Sequence, residues 1–187
     1  MKTKIKKVVG NNDGFTLIEI LIALVVIGVL AAISISGYVH MQSTAATGGI
    51  VNNVEKLETI ADQYATMNSG SFTGISAAAM QKDGLLPNGW TTSTDEAIPP
   101  NTSTVSGYYI TTGALGSNDS AYDIGFSGIG NSITNNMVRS ICLDFENKID
   151  GFQYNGSTTK ITTGGTNCTA IPLNNTAITG TFYLGFE

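Results

Sequence analysis

The sequence predicts an α+β protein in which a long N-terminal α-helix packs on a small antiparallel β-sheet. Three observations predict this fold class. Residues 15–35 form an apolar run, residues 50–64 repeat apolar side chains at helical spacing, and several later stretches alternate aromatic side chains as strands do. We divide the chain into residues 1–14, a helix over residues 15–67 and a globular αβ head over residues 68–187.

The predicted first helix has two halves of different character. In residues 15–38, Ala, Leu, Ile and Val occupy every face, which is typical of a helix surrounded by lipid or by other helices. In residues 39–67 the apolar side chains lie on one face, with charged residues between them. A helix over residues 15–67 would be about 80 Å long. We therefore expect its N-terminal half to project from the head.

The head is predicted to contain loops, strands and further helical segments. Residues 68–104 are rich in Gly, Ser, Thr and Asn, and we interpret them as a loop region with a short helix at 75–83. Residues 133–147 carry apolar side chains at helical spacing and predict a longer helix. Strands are predicted at 105–112, 121–127 and 180–186, with a weaker one at 158–163.

Charge is distributed unevenly along the chain. Four of its nine basic residues lie within the first seven positions: Lys2, Lys4, Lys6 and Lys7. A basic cluster before an apolar run predicts that the start of the chain stays in the cytoplasm while the remainder crosses the membrane. Without residues 1–14 the chain keeps five basic and thirteen acidic residues. Such an acidic protein is a poor binder of nucleic acid.

The two cysteines, Cys142 and Cys168, both lie beyond the apolar run, on the exported side. In an oxidising compartment two thiols most simply form one disulfide, here closing a loop near the C-terminus. Two free buried thiols are the alternative. The spacing does not fit a CxxC redox or zinc site.

One carboxylate interrupts the apolar run, at Glu19. A charged side chain at mid-bilayer is disfavoured by roughly 2.5–3.5 kcal/mol on insertion scales, and by less near a helix end. Glu19 therefore requires a partner.

The stretch Gly14-Phe15-Thr16-Leu17-Ile18-Glu19, with its lysine-bearing leader and the apolar helix after it, resembles the class III signal of type IV prepilins and pseudopilins. The resemblance implies the pilin fold. It also implies a leader peptide, residues 1–14, removed after Gly14 by a membrane peptidase that methylates the new amino group of Phe15. The resemblance further implies that Thr16 and Glu19 act in assembly, in which the Glu19 carboxylate neutralises the N-terminus of a neighbouring subunit. The order of elements in the head is loosely similar to that of type IVb pilins.

This resemblance implies a structural subunit of a type IV pilus. The precursor would reside in the inner membrane and the mature chain in an extracellular filament that serves adhesion, aggregation, motility or DNA uptake. The implied partners are identical subunits, the prepilin peptidase, an inner-membrane assembly platform with its ATPase, and an outer-membrane secretin. No cofactor or metal is expected.

Other interpretations stay open. The N-terminus also fits an ordinary secretory signal cleaved after Ser36 or an uncleaved anchor, and the whole chain fits a type II secretion pseudopilin, a minor pilin or a membrane-anchored monomeric binding domain. An enzyme is not expected, because a chain whose one histidine is His40 has little from which to build a catalytic site. The acidic stretch Asp144 to Asp150 fails the calcium-loop spacing of an EF-hand.

Overall fold

The computed structural model describes residues 15–100, 104–112, 121–154, 157–160, 167–178 and 180–186. The protein has two compact units, one ending at Gln42 and one beginning at Ser43. Helices α1 (Leu17–Met67), α2 (Ala77–Lys82) and α3 (Asn135–Phe145) accompany an antiparallel sheet. The α+β class predicted from the sequence is therefore confirmed.

The part of α1 in the first unit is apolar on every face. Its stretch Leu17–Ile35 contains 19 residues with a mean hydropathy of 2.9, and none of that stretch is buried. At 1.5 Å per residue this stretch spans about 28 Å, which is close to the thickness of a bilayer's hydrocarbon core.

The part of α1 in the second unit is amphipathic and packs into the core. The predicted apolar positions are all buried there, with Val54, Leu57 and Ala61 fully inaccessible to solvent. Ile50 and Tyr64 extend the same stripe by a turn at each end. Because these positions recur every three or four residues, they form a single face of the helix.

In the part of the chain that the structure describes, seven strands form one antiparallel sheet in the order β1-β2-β3-β4-β7-β5-β6. Strand β7 lies between β4 and β5, so it is paired on both sides inside the sheet. The strand bounds are β1 Thr91–Ser93, β2 Glu96–Ile98, β3 Val105–Thr111, β4 Tyr122–Gly128, β5 Ile149–Tyr154, β6 Ser157–Lys160 and β7 Thr181–Phe186.

The central strands β4 and β7 bury large side chains on one face of the sheet, and on the other face a glycine of β4 makes room for an aromatic ring of β7. Phe126 on β4 and Phe182 on β7 are fully buried, with ring centroids 5.4 Å apart. On the opposite face the Tyr183 ring lies against Gly125, where an added Cβ would come within 2.4 Å of Tyr183 Cε1. Gly125 is therefore required by close packing of this ring.

The head contains more strands than were predicted. Residues 68–104 are not only loop, because they contain the β1–β2 hairpin, and β5 was not predicted, so the sheet is larger than expected. The hairpin turns through Thr94 and Asp95, which both have positive φ, 47° and 69°. The predicted strands at 105–112, 121–127 and 180–186 match β3, β4 and β7. The weak strand at 158–163 overlaps β6, and its last three residues lie outside the described residues.

The two predicted helices of the head are present within a few residues of their expected ends. Helix α2 is capped at its N-terminus by Ser76, whose hydroxyl accepts a hydrogen bond from the Ala79 N–H at 3.1 Å. Helix α3 carries Cys142, which forms a disulfide with Cys168 in the 3-10 helix at Asn167–Ala170. The disulfide joins residues that are 26 positions apart.

Candidate functional site

The described residues of the predicted processing and assembly site lie at the start of α1: Phe15 and Thr16 directly precede the helix, and Glu19 lies in its first turn. The Thr16 carbonyl accepts hydrogen bonds from the N–H groups of Glu19 at 3.1 Å and Ile20 at 3.3 Å. Thr16 precedes the first helical residue, Leu17, and so occupies the N-cap position. Gly14 and the rest of the leader lie outside the described residues.

Thr16 and Glu19 form a reciprocal capping box. The Glu19 carboxylate accepts from the Thr16 N–H at 3.4 Å and from the Thr16 hydroxyl at 3.3 Å, while Thr16 Oγ1 accepts from the Glu19 N–H at 3.4 Å. This Thr-x-x-Glu pattern satisfies amide groups that a helix start leaves unpaired. The negative charge is also favourable near the positive end of the helix dipole.

The capping box gives Glu19 a partner within its own chain, besides the partner in a neighbouring subunit that the resemblance implies. Its carboxylate has an intramolecular partner in Thr16, at the long end of hydrogen-bonding distance. Both side chains are exposed in the single chain, so the carboxylate is accessible to a second partner. Sequence reasoning missed this role although its signal, Thr followed three residues later by Glu, was present.

An apolar surface continues from the capping box along the helix. Every large apolar side chain from Leu17 to Ile35 is at least 48 % exposed, and Phe15 is 80 % exposed. Contiguous apolar surface of this extent marks a site of protein or membrane contact. The described part of the first unit therefore has a polar capping box at the start of the helix, followed by an apolar helical surface.

The predicted cysteine pair belongs to the second unit. Cys142 and Cys168 are both fully buried, and their Cα atoms are 5.7 Å apart. The disulfide contributes to the stability of the head, by about 3 kcal/mol in the loop-entropy model.

Two buried tyrosines of the head have raised pKa values. Burial raises the pKa of Tyr108 to about 12, opposed in part by the hydrogen bond that Asn53 donates to its hydroxyl at 3.2 Å. Burial also raises the pKa of Tyr122. Among the described residues, no group of three or more His, Cys, Asp or Glu side chains is placed to hold a metal ion.

Residues 10–35 match the family described as the prokaryotic N-terminal methylation motif, which is the type IV prepilin signal. The motif indicates a type IV pilin-like or pseudopilin precursor, and the stretch Leu17–Ile35 is long and apolar enough to cross a membrane. Proteins with this motif are structural. No curated protein and no solved structure matches the chain. The similarity of the head to type IVb pilins stays a prediction.

Proposed function

We propose that this chain is the precursor of a structural subunit of a type IV pilus, which polymerises through its hydrophobic N-terminal helix into a surface filament. One observation carries the proposal: the methylation motif over residues 10–35 coincides in register with an exposed apolar helix whose first turn holds Glu19. Apolar helices of this kind are stable only in a bilayer or against one another.

Processing creates the charge that assembly must neutralise. The prepilin peptidase cuts after Gly14 and methylates the new amino group, so that Phe15 carries an ammonium directly before the N-cap Thr16. A positive charge at a helix N-terminus opposes the helix dipole. The mature helix start therefore requires a nearby carboxylate when it leaves water, and Glu19 is the acidic residue of the first turn.

On assembly, the Glu19 carboxylate changes its hydrogen-bonding partner. In the single chain its carboxylate caps its own helix through Thr16. In the filament core the same carboxylate pairs with the Phe15 ammonium of a neighbouring subunit, because an unpaired buried charge is far more costly than a paired one. This pairing fixes the axial register of neighbouring helices. The assembly platform, its ATPase and an outer-membrane secretin complete the set of proposed partners.

The head would form the outer surface of the filament. Its disulfide and antiparallel sheet make it a stable unit, and the chain beyond residue 14 is acidic. Adhesion, aggregation, motility or DNA uptake would be properties of the filament that displays this surface.

A type II secretion pseudopilin or a minor pilin is the second candidate, because the same N-terminal motif serves both. The cysteine pair favours a pilin, since pseudopilins commonly lack it. Sheared cell-surface filaments distinguish the two candidates. A major pilin is their main component, and a pseudopilin or minor pilin is absent from them or a trace component.

Mass spectrometry of the chain from its native membrane tests the proposal. We expect an N-terminus at Phe15 that is one methyl group heavier than the unmodified sequence. Gly14→Val is expected to leave the leader attached, whereas the control Gly10→Val is processed normally. An N-terminus at Met1 would instead indicate an uncleaved anchor, and one at Gly37 a secretory signal. Either result would overturn the proposal.

A further inference from the structure

Arg139 lies on α3 one turn before Cys142 and contacts the chain directly after Cys168. Its Nη1 donates hydrogen bonds to the carbonyl of Thr169 at 2.6 Å and to the carbonyl of Ile171 at 2.8 Å. Hydrogen bonds from a charged donor are stronger than neutral ones. One guanidinium thus fixes the backbone on the C-terminal side of a disulfide cysteine, while its own helix carries the other cysteine.

The first turn of α3 extends this attachment along the same segment. The N–H groups of Asn135 and Asn136 donate to the carbonyls of Thr176 at 2.9 Å and Asn174 at 3.1 Å. Their side-chain amides donate to the side-chain oxygens of Asn174 at 2.7 Å and Asn175 at 2.8 Å. These bonds satisfy helix-start amides that Thr134 does not cap with its side chain.

Together these contacts place residues 168–178 in a fixed register against α3. Ile171 and Ile178 are buried at 1 % and 9 % exposure, and between them Pro172 to Thr176 are exposed. The exposed stretch has few buried side chains to hold it, so its position depends on the bonds from α3. A shift in this register would move Cys168 away from Cys142.

We propose that Arg139 is a positioning residue for formation of the Cys142–Cys168 disulfide. By holding the Thr169 and Ile171 carbonyls, it keeps the Cys168 sulfur next to the Cys142 sulfur and raises the effective concentration of one thiol at the other. The asparagine pair supports the same register from the start of α3.

The reaction is thiol–disulfide exchange with an oxidant such as glutathione disulfide. The thiolate of one cysteine attacks the oxidant, giving a mixed disulfide and one released thiol. The second thiolate then displaces the remaining glutathione, so two protons and two electrons leave the cysteine pair and the oxidant becomes two thiols. Arg139 acts on the second step, because that step requires the two protein sulfurs to meet.

The test is the redox equilibrium of the full-length chain in detergent micelles. The chain is equilibrated in glutathione buffers, free thiols are alkylated, and the oxidised and reduced forms are counted by mass spectrometry. We expect Arg139→Ala to lower the effective thiol concentration by about 10-fold or more, given the strength of charged hydrogen bonds. Arg139→Lys is expected to be intermediate, since an ammonium lacks the planar guanidinium fork. Lys82→Ala, at the exposed end of α2, is the matched control and should equal the wild type.

Two further measurements separate positioning from a general loss of stability. In denaturant all variants should share one effective concentration, because the register no longer exists. A destabilising core change in the sheet, Ile110→Val, should leave the native-state value unchanged. If Arg139→Ala is folded and keeps the wild-type value, the proposal is wrong. Should that variant fail to fold, Arg139→Lys decides, and a wild-type value there overturns the proposal equally.

Discussion

Two substitutions at the start of α1, one at the N-cap and one in the first turn, separate the two roles assigned to Glu19. Glu19→Gln keeps an oxygen that can accept from the Thr16 N–H and removes the charge. Thr16→Ala removes the hydroxyl that bonds Glu19 and keeps the charge. The account predicts that the first change stops filament formation and that the second only weakens it.

The expected magnitudes differ because the two interactions differ. A capping box tolerates Gln in place of Glu, so Glu19→Gln should change helix stability little. Removing one partner of a buried charge pair costs about 3–5 kcal/mol, which is more than about 100-fold in association. Loss of an N-cap hydroxyl costs about 0.5–2 kcal/mol, at most about 30-fold.

The assay is the yield of sheared surface filaments divided by the amount of the chain in the membrane. This ratio corrects for differences in expression and membrane insertion. Thr16→Ser is the matched control, because it keeps the capping hydroxyl, and it should assemble as the wild type does. The interpretation fails if Glu19→Gln assembles normally while Thr16→Ala does not. That result would mean that Glu19 acts through the helix cap and that its charge is not used.

Three further predictions concern the second compact unit, which begins at Ser43, and are measured by chemical unfolding of the full-length chain. Gly125→Ala should destabilise it by about 1–3 kcal/mol, because the new Cβ meets the Tyr183 ring, and the cost should largely vanish in a Tyr183→Ala background; an equal cost in both backgrounds would contradict the packing argument. Leu57→Ala should cost about 2–5 kcal/mol, since this side chain is fully buried, whereas exposed Lys56→Ala should stay within about 0.5 kcal/mol. The pKa of Tyr108 is raised from 10.0 to about 12, so the unfolded chain loses this proton first and the free energy of unfolding falls as pH rises through that interval. Tyr108→Phe should flatten this alkaline decline, and an unchanged decline would assign it to other groups.

The parts of the fold that the sequence predicts well are those with large apolar side chains at regular spacing. Val54 and Leu57 repeat with helical period and are fully buried in α1. In β3, the buried side chains of Tyr108 and Ile110 alternate with the half-buried Tyr109 and Thr111, as the period of a strand requires. Burial of such side chains is the dominant stabilising term, so their pattern survives in the folded protein.

The strands that were missed lack this signal. Strands β1 and β2 have three residues each, and Ala97 is the one residue in them that is fully buried. Their turn uses Thr94 and Asp95 rather than the Asn-Gly pair that marks a two-residue hairpin. In β5 the register shifts between Ile149 and Gly151, which breaks the alternation that identifies a strand. Tertiary pairing, not local sequence, defines these strands.

The candidate site was predictable in its residues and only partly in its contacts. The basic leader, the apolar run and Glu19 identify the helix start from sequence, and the cysteines predict their disulfide from their shared side of the membrane. The Thr-x-x-Glu pattern of a capping box is also present in the sequence. A charged side chain in an apolar run, however, predicts a partner in another subunit rather than a helix cap. The contacts of Arg139 had no signal, because they join a side chain to backbone carbonyls about thirty residues away.

A density map of the assembled filament tests the central claim most directly. The account predicts that each Glu19 carboxylate lies within hydrogen-bonding distance of the methylated Phe15 amine of an adjacent subunit. A map in which these two groups lie far apart, with Glu19 still bonded to its own Thr16 and the amine neutralised elsewhere, would contradict it.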